Sequence, residues 1–314
     1  MKKQFLKSAV ATAVLGAAMV AAGGAAAGTI ANTKHNLGSA GTGPNSVQDT
    51  GEICIFCHTP HGGDNGAPVP LWNKVLTTAT FKTYDQLGTS TYDAAQGPIG
   101  SVTMACLTCH DGTQAIDNII NAPGSGGYDP TGGGATGLAW TWNPSTDGSL
   151  DATGTFTAGP DAGGTTIFNL GTDLTNDHPV SMQYGGGGYS ASNPSGGAFA
   201  SVGPTRDQDF AAANQIAGVN RWYIDNTFMG GASAESTTGA FDKWDFKLYT
   251  RDTSTLAAAD ARGVAYAAEP EPFVECGSCH DPHMETTTFL RIDPALNGGA
   301  SNNSSQVCLA CHTK

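Results

Sequence analysis

The chain has 314 residues and a formal net charge of −13, and only 13% of its residues are charged. Because nucleic-acid phosphates require a basic surface, this charge balance argues against a nucleic-acid partner. Glycine supplies 43 residues, about twice its usual share, which favours long surface loops over an ordinary domain of amphipathic helices.

Residues 1–27 have the pattern of an export signal. Lys2, Lys3 and Lys7 precede an apolar run that ends in the small residues 25–27, as is typical of a cleaved secretory signal peptide. The run is short and rich in alanine, so a membrane anchor is the weaker interpretation. We therefore expect an exported mature chain without a membrane span.

All eight cysteines belong to one motif, CxxC followed directly by histidine. We number the sites I to IV in chain order: Cys54, Cys57 and His58; Cys106, Cys109 and His110; Cys276, Cys279 and His280; Cys308, Cys311 and His312. CxxCH is the attachment pattern of c-type haem, in which two thiols bond one porphyrin and the adjacent imidazole binds its iron. A disulfide framework, a zinc ribbon or a thioredoxin-like redox pair would leave the four histidines unexplained.

The other histidines match the number of remaining axial positions. They are His35, His61, His178 and His283. Four irons with two imidazoles each need eight ligands, and the chain has eight histidines. The sequence therefore predicts four covalently bound haem c groups with double histidine ligation. Methionine is the other common second ligand, but we interpret the methionines as packing residues.

Two of the motifs carry a second histidine three residues further on. EICIFCHTPH ends at His61 and VECGSCHDPH ends at His283, and a plainer CLxCH site follows each of them. Side chains three apart in a helical turn project to the same side, so we expect the second histidine to bind the iron of a neighbouring haem. We predict that His61 serves site II and His283 serves site IV. His35 and His178 then serve sites I and III, in an order that the sequence leaves open.

This spacing divides the chain into four segments, which are the signal peptide (1–27), a first di-haem unit (28–120), a glycine-rich region with one axial histidine (121–275) and a second di-haem unit (276–314). Aromatic residues are spread through the glycine-rich region, which argues for order there. Short helices are predicted over 207–219 and 254–267, and short strands over 164–170 and 286–292. We expect a fold of mostly irregular coil with few short helices and strands, organised around four stacked c-type haems.

The motif regions resemble the doubled-CxxCH multihaem cytochromes. The four sites, KHNL at residues 34–37 and DHPV at residues 177–180 are similar to the OmcE-type tetrahaem cytochromes, which assemble as extracellular filaments. The resemblance covers roughly residues 32–111, 176–184 and 274–314. It implies haems with two histidine ligands in a continuous chain along a polymer, in which a neighbouring subunit can donate one axial histidine.

The expected function is electron transfer, without enzymatic activity, because the histidine count leaves no iron with an open face. We expect self-association into an extracellular or cell-surface filament whose redox partners are other multihaem cytochromes or extracellular metal oxides. A soluble periplasmic electron shuttle is the alternative. A multihaem oxidoreductase enzyme is a third interpretation, which requires an iron that lacks one axial ligand.

Overall fold

The computed structural model describes residues 29–41, 43–89, 94, 96–124, 127–143, 149–157, 168–187, 207, 209–216, 221–226, 240–251, 270–292 and 303–313. The predicted signal peptide and the predicted helix over 254–267 lie outside these residues. Across the described ranges, no helix has both the length and the apolar character that a bilayer crossing requires.

The α-helices of the described part all carry haem motifs. They are α1 (Ser101–His110), α2 (Cys276–Cys279) and α3 (Asn303–Cys311). Motif I is built on a 3-10 helix, Cys54–Phe56. A helical turn brings residues i and i+3 to the same side, so each motif presents its two thiols together. Further 3-10 helices are Ile30–Asn32, Tyr84–Leu87, Gly134–Thr136, Tyr184–Gly186 and Thr287–Phe289.

One antiparallel sheet lies within the glycine-rich region and leads into the second di-haem unit. Its strands are β1 (Met182–Gln183), β2 (Asn214–Gln215), β3 (Trp222–Ile224), β4 (Phe246–Arg251) and β5 (Glu271–Val274), in the spatial order β1-β5-β4-β3-β2. Trp222 pairs with Leu248, and Tyr249 pairs with Phe273. Aromatic and branched side chains favour such pleated, buried strands. Because β5 leads directly into α2, the sheet positions site III.

Hydrophobic packing divides the glycine-rich region between the two di-haem units. A first cluster joins Phe56 and Ile119 to Trp142 and Phe156. A second cluster joins strands β3 and β4 to Ile292 and to α3. Described apolar residues of the region up to Leu174 therefore pack on the first unit, and those from Tyr184 onward pack on the second unit. The predicted fold class of mostly irregular coil with few short helices and strands is confirmed.

Three of the local predictions were wrong where the structure describes the residues. Instead of a helix over 207–219, the described residues 209–216 form a turn, a bridge from Phe210 to His312 and strand β2, because tertiary pairing outweighs helix propensity. Instead of a strand over 286–292, the chain forms the 3-10 helix Thr287–Phe289. The positive φ angles of Thr288 and Phe289 are incompatible with the extended backbone of a strand. Residues 168–170 of the predicted strand over 164–170 are coil, and its other residues lie outside the described part.

Candidate functional site

The eight cysteines are free thiols, and those of successive sites are close neighbours. Burial, and then the nearby Cys109, raise the pKa of Cys57 to about 12. A hydrogen bond with Cys276, together with burial, raises the pKa of Cys106. Site I therefore lies next to site II, and site II lies next to site III.

Sites III and IV are joined in the same way. Burial, and then the nearby Cys279, raise the pKa of Cys311 to about 12. Sites I to IV thus follow one another in space in chain order. Among the described residues, no three His, Cys, Asp or Glu side chains are grouped to hold a bare metal ion.

Two pairs of imidazoles face each other at the separation that a shared metal requires. The ring centroids of His35 and His110 are 6.3 Å apart, and those of His58 and His283 are also 6.3 Å apart. Two imidazoles whose Nε2 atoms lie about 2 Å from one metal have centroids roughly 6 Å apart. Each pair combines one motif histidine with one histidine from elsewhere in the chain. The residues therefore fit an iron at site I and another at site II.

Six imidazoles form hydrogen bonds with acceptors within the protein, five of them through Nδ1. Backbone carbonyls accept from His58 (Pro70, 2.7 Å), His110 (Phe168, 2.8 Å), His280 (Thr288, 2.7 Å), His178 (Pro179, 3.0 Å) and His35 (Pro282). The Asp281 carboxylate accepts from His283 at 3.2 Å. Metal-binding histidines usually donate their second ring N–H in this way. With Nδ1 as the donor, Nε2 is free to bind a metal.

Burial keeps the central imidazoles neutral. Burial, and then the nearby His110, lower the pKa of His35 to about 4. Burial also lowers the pKa of His110. A neutral imidazole is the form that binds a metal, so both rings are available as ligands at neutral pH.

The structure pairs these histidines differently from the sequence-based assignment. His283 lies opposite His58 of site I, whereas the sequence-based prediction assigns His283 to site IV. His35 lies opposite His110 of site II, whereas the sequence-based prediction assigns His61 to this site. Both pairs join segments far apart in the chain, which spacing within one motif cannot reveal.

The other two histidines outside the motifs have less defined partners. Burial lowers the pKa of His178, and His312 and then His280 contribute further, so His178 lies near sites III and IV. The His61 side chain is exposed. Its backbone carbonyl accepts hydrogen bonds from Thr59 and Asn121. Within the described residues, no aromatic or imidazole ring contacts the ring of His61.

The surroundings of His61 form an exposed patch, which we call the His61 patch and define as His61, Gly62, Leu71 and Tyr128. The amide of Thr59 donates to the Leu71 carbonyl at 2.9 Å. A Cβ atom built on Gly62 would lie 3.6 Å from the Tyr128 ring. Leu71 and Tyr128 are 51% and 62% exposed, so apolar surface flanks the exposed imidazole.

Aromatic rings that spacing did not identify pack against several motif histidines and their partners. Phe289 stacks on His35 with centroids 4.1 Å apart, and Phe156 stacks on His110 at 5.3 Å. The ring of Phe210 lies 4.3 Å from that of His312. Aromatic side chains are common in cores, so nothing in the sequence singled out these positions.

Two buried polar side chains connect the polypeptide around sites I and II. The Asn73 side chain donates to the carbonyls of Ile55 and Asn121. The next residue, Lys74, is fully buried, and its Nζ donates to the carbonyls of Ile116 and Asn118 at 2.8 and 3.1 Å. Lys74 also lowers the pKa values of Cys57 and Cys109, against the larger effect of their burial. A positive charge therefore lies next to both sites.

A protein-family model described as the doubled CXXCH motif matches residues 271–314. The matched segment includes sites III and IV, the second histidine at His283 and strand β5, which leads into site III. No curated protein matches the chain significantly.

Proposed function

We propose that the chain is a relay of four c-type haems in which two histidines bind each iron. The doubled CXXCH motif implies a c-type cytochrome of the multihaem kind, which transfers electrons through covalently bound haem c. The four CxxCH sites and the eight histidines support four haems with double histidine ligation. The observation that carries the proposal is the 6.3 Å separation in two pairs of imidazoles.

The facing imidazoles support a specific assignment of the axial ligands. His35 completes site II and His283 completes site I, each opposite the motif histidine. His178 serves one of sites III and IV, whose motif histidines are its electrostatic neighbours. One axial position of the second di-haem unit then remains, and His61 is the one remaining histidine.

Each haem, when bound, supplies an iron that gains and loses one electron. Imidazoles on both sides leave no axial position for a substrate, so we propose an electron carrier and not an enzyme. Double histidine ligation also favours a lower reduction potential than a His/Met pair. The carbonyl and carboxylate acceptors at Nδ1 hold the rings in place, so the ligand geometry changes little between oxidation states.

The succession of neighbouring thiols supports a continuous path for electrons. Cys57 neighbours Cys109, Cys106 neighbours Cys276, and Cys279 neighbours Cys311. Because each thiol would attach a porphyrin, haems held at these sites would have neighbouring attachment points from one site to the next. Such haems would supply a path for electrons between the two di-haem units.

The exposed His61 supports polymerisation. Its ring has no imidazole partner among the described residues, whereas one iron in the second unit needs one more ligand. We propose that His61 of one subunit binds that iron in the next subunit. Leu71 and Tyr128 of the His61 patch would pack on the neighbouring subunit near α3, where Leu309 is 44% exposed. Such a polymer would act outside the cell, with metal oxides or other multihaem cytochromes as redox partners.

A soluble periplasmic shuttle is the second candidate, because the same haems in a monomer would also transfer electrons. Both candidates share the ligands of sites I and II. They differ in the role of His61, which has no function in a shuttle.

The test uses mature holoprotein with and without the His61→Ala substitution. Wild-type protein should form uniform fibres in negative-stain microscopy and carry four low-spin haems in the fibre. The His61→Ala protein should stay monomeric, keep four attached haems by mass and have one high-spin haem. Added imidazole should convert that haem to low spin without restoring fibres. Asn65→Ala, an exposed position in the same loop, is the matched control. Fibres formed by His61→Ala protein, or a wild-type monomer with four low-spin haems, would refute donation by His61.

A further inference from the structure

A buried carboxylate lies at the junction of the two di-haem units. Glu275 is only 1% exposed, and it directly precedes Cys276 at the start of α2. In the first unit, the corresponding residue before Cys54 is the apolar Ile53. Electron transfer between the haems does not by itself require this carboxylate.

The contacts of Glu275 connect the helices that carry sites II and III. Its Oε2 atom accepts hydrogen bonds from the hydroxyls of Thr103 at 2.6 Å and Ser181 at 2.8 Å. Thr103 lies on α1, three residues before Cys106, and its Oγ1 also accepts from the Cys276 amide at 3.0 Å. The carboxylate is therefore fixed at the contact between α1 and α2, the helices that carry Cys106 and Cys276.

The charged and titratable groups around Glu275 come from three elements. Arg251 on β4 lies 3.4 Å from Oε1, and its side chain is 16% exposed. Tyr249 on the same strand is a further electrostatic neighbour, as is Cys276 on α2. Cys106 on α1 forms a hydrogen bond with Cys276. Arg251 is the one cation that the described residues place against the carboxylate.

Burial and hydrogen bonding act on the protonation of Glu275 in opposite directions. Burial raises its pKa to about 7, although the Thr103 hydrogen bond and the Arg251 charge favour the ionised form. Small changes in nearby charge therefore decide whether the carboxyl is protonated at neutral pH. An electron added at site II or III disfavours a negative charge beside it.

We propose that Glu275 is a proton-binding site coupled to reduction of the haems at sites II and III. When one electron passes from a reduced neighbouring haem to the ferric iron of site II or III, Glu275 takes up one proton from the solvent and becomes a carboxylic acid. Oxidation of that iron returns the proton to the solvent. The coupling rests on the proposed attachment of haems at these two sites, and it requires no filament.

The primary test is a spectroelectrochemical titration of full-length, mature holoprotein at a series of pH values. Near the pKa of Glu275, the reduction potentials of the coupled haems should fall as the pH rises. The expected slope is up to 59 mV for each pH unit, which corresponds to a tenfold change for a one-electron couple. Glu275→Gln keeps the shape of the side chain and one oxygen acceptor, and it should abolish this slope. Glu52→Gln, an exposed carboxylate just before site I, should retain it.

Two further measurements separate proton uptake from a structural role. Redox-difference infrared spectra of the wild type should gain a protonated-carboxyl band on reduction, and Glu275→Gln should lack this band. Ser181→Ala removes a hydrogen bond that favours the carboxylate, so it should move the slope to higher pH. The band in the wild type and the shift in Ser181→Ala decide the matter even if Glu275→Gln fails to attach its haems.

Two outcomes would overturn the inference. One is a pH slope that Glu275→Gln leaves unchanged, and the other is a set of flat potentials in the wild type. Flat potentials in protein that carries four low-spin haems would leave the relay itself intact. Fewer than four attached haems would instead contradict the proposed function.

Discussion

Replacing His35 by glycine tests the pairing of imidazoles most sharply. The ring of His35 faces His110 at 6.3 Å and stacks on Phe289 at 4.1 Å. In His35→Gly protein we expect the iron of site II to lose one ligand. One haem in four, a quarter of the haem signal, should then be high-spin in the oxidised protein.

The structure also gives the energetic cost of this change. Removal of this half-buried ring costs about 2 kcal/mol, the low end of the range for buried side chains, which includes the stack on Phe289. About 1 kcal/mol more is lost because the Pro282 carbonyl loses its donor. The porphyrin stays attached through Cys106 and Cys109, so the site should survive the loss. Free imidazole fits the vacated space and should restore the low-spin state.

The assay is electron paramagnetic resonance, with low-spin haems counted per protein. In the assembled protein, His110→Gly alone should leave three low-spin haems per subunit, whether or not site II keeps its porphyrin. Adding His35→Gly to that variant should leave the count at three, because both histidines serve one iron. Adding His283→Gly instead should lower the count to two. A count of two in the His35→Gly, His110→Gly protein would refute the pairing.

The remaining predictions concern charge and folding. Lys74→Met removes a buried cation beside Cys57 and Cys109, so the potentials of sites I and II should fall, on the order of tens of millivolts for an effective dielectric constant of about 20. Unchanged potentials in spectroelectrochemistry would contradict this. The pKa of Glu275 rises from 4.5 to about 7 on folding, so the protonated carboxyl stabilises the folded state. This stabilisation is on the order of 3 kcal/mol; it is fully present below about pH 4.5 and is lost as the pH rises through about 7. The Tm of the wild type should therefore drop over this range relative to Glu275→Gln, and parallel Tm curves would exclude the effect. Chain produced without haem attachment should be largely unfolded, because haems and thioether bonds replace much of a polypeptide core; a protease-resistant apoprotein would argue against this.

The local geometry of each CxxCH motif could be predicted from the sequence. The CxxC spacing requires two thiols on one side of a helical turn, and the structure forms such a turn at every motif. The abundance of glycine predicted a fold with little regular structure, and this prediction is confirmed. Both features depend on residues close together in the chain.

Long-range pairing could not be read in the same way. His58 and His283 come from opposite ends of the chain, and the spacing after each motif shows only that a second imidazole exists. Which segment of the chain lies opposite a motif histidine depends on the sheet and on the packing of the glycine-rich region. The helix predicted over 207–219 failed for the same reason, because pairing of β2 with β3 and contact of Phe210 with His312 outweigh local propensity.

Buried charge was equally hidden from the sequence. Lys74 and Glu275 look like ordinary surface residues, since these types are rarely buried unless paired. Only the fold shows that backbone carbonyls accept hydrogen bonds from the Lys74 ammonium and that the hydroxyls of Thr103 and Ser181 donate to the Glu275 carboxylate.

Near-infrared magnetic circular dichroism of the oxidised, assembled protein tests the central claim most directly, because it reports both axial ligands of each low-spin haem. If every iron lies between two imidazoles, all four haems should give the bis-histidine signature, and dissociated monomers should give three. A quarter or more of the assembled haem in a high-spin or methionine-ligated form would contradict the account.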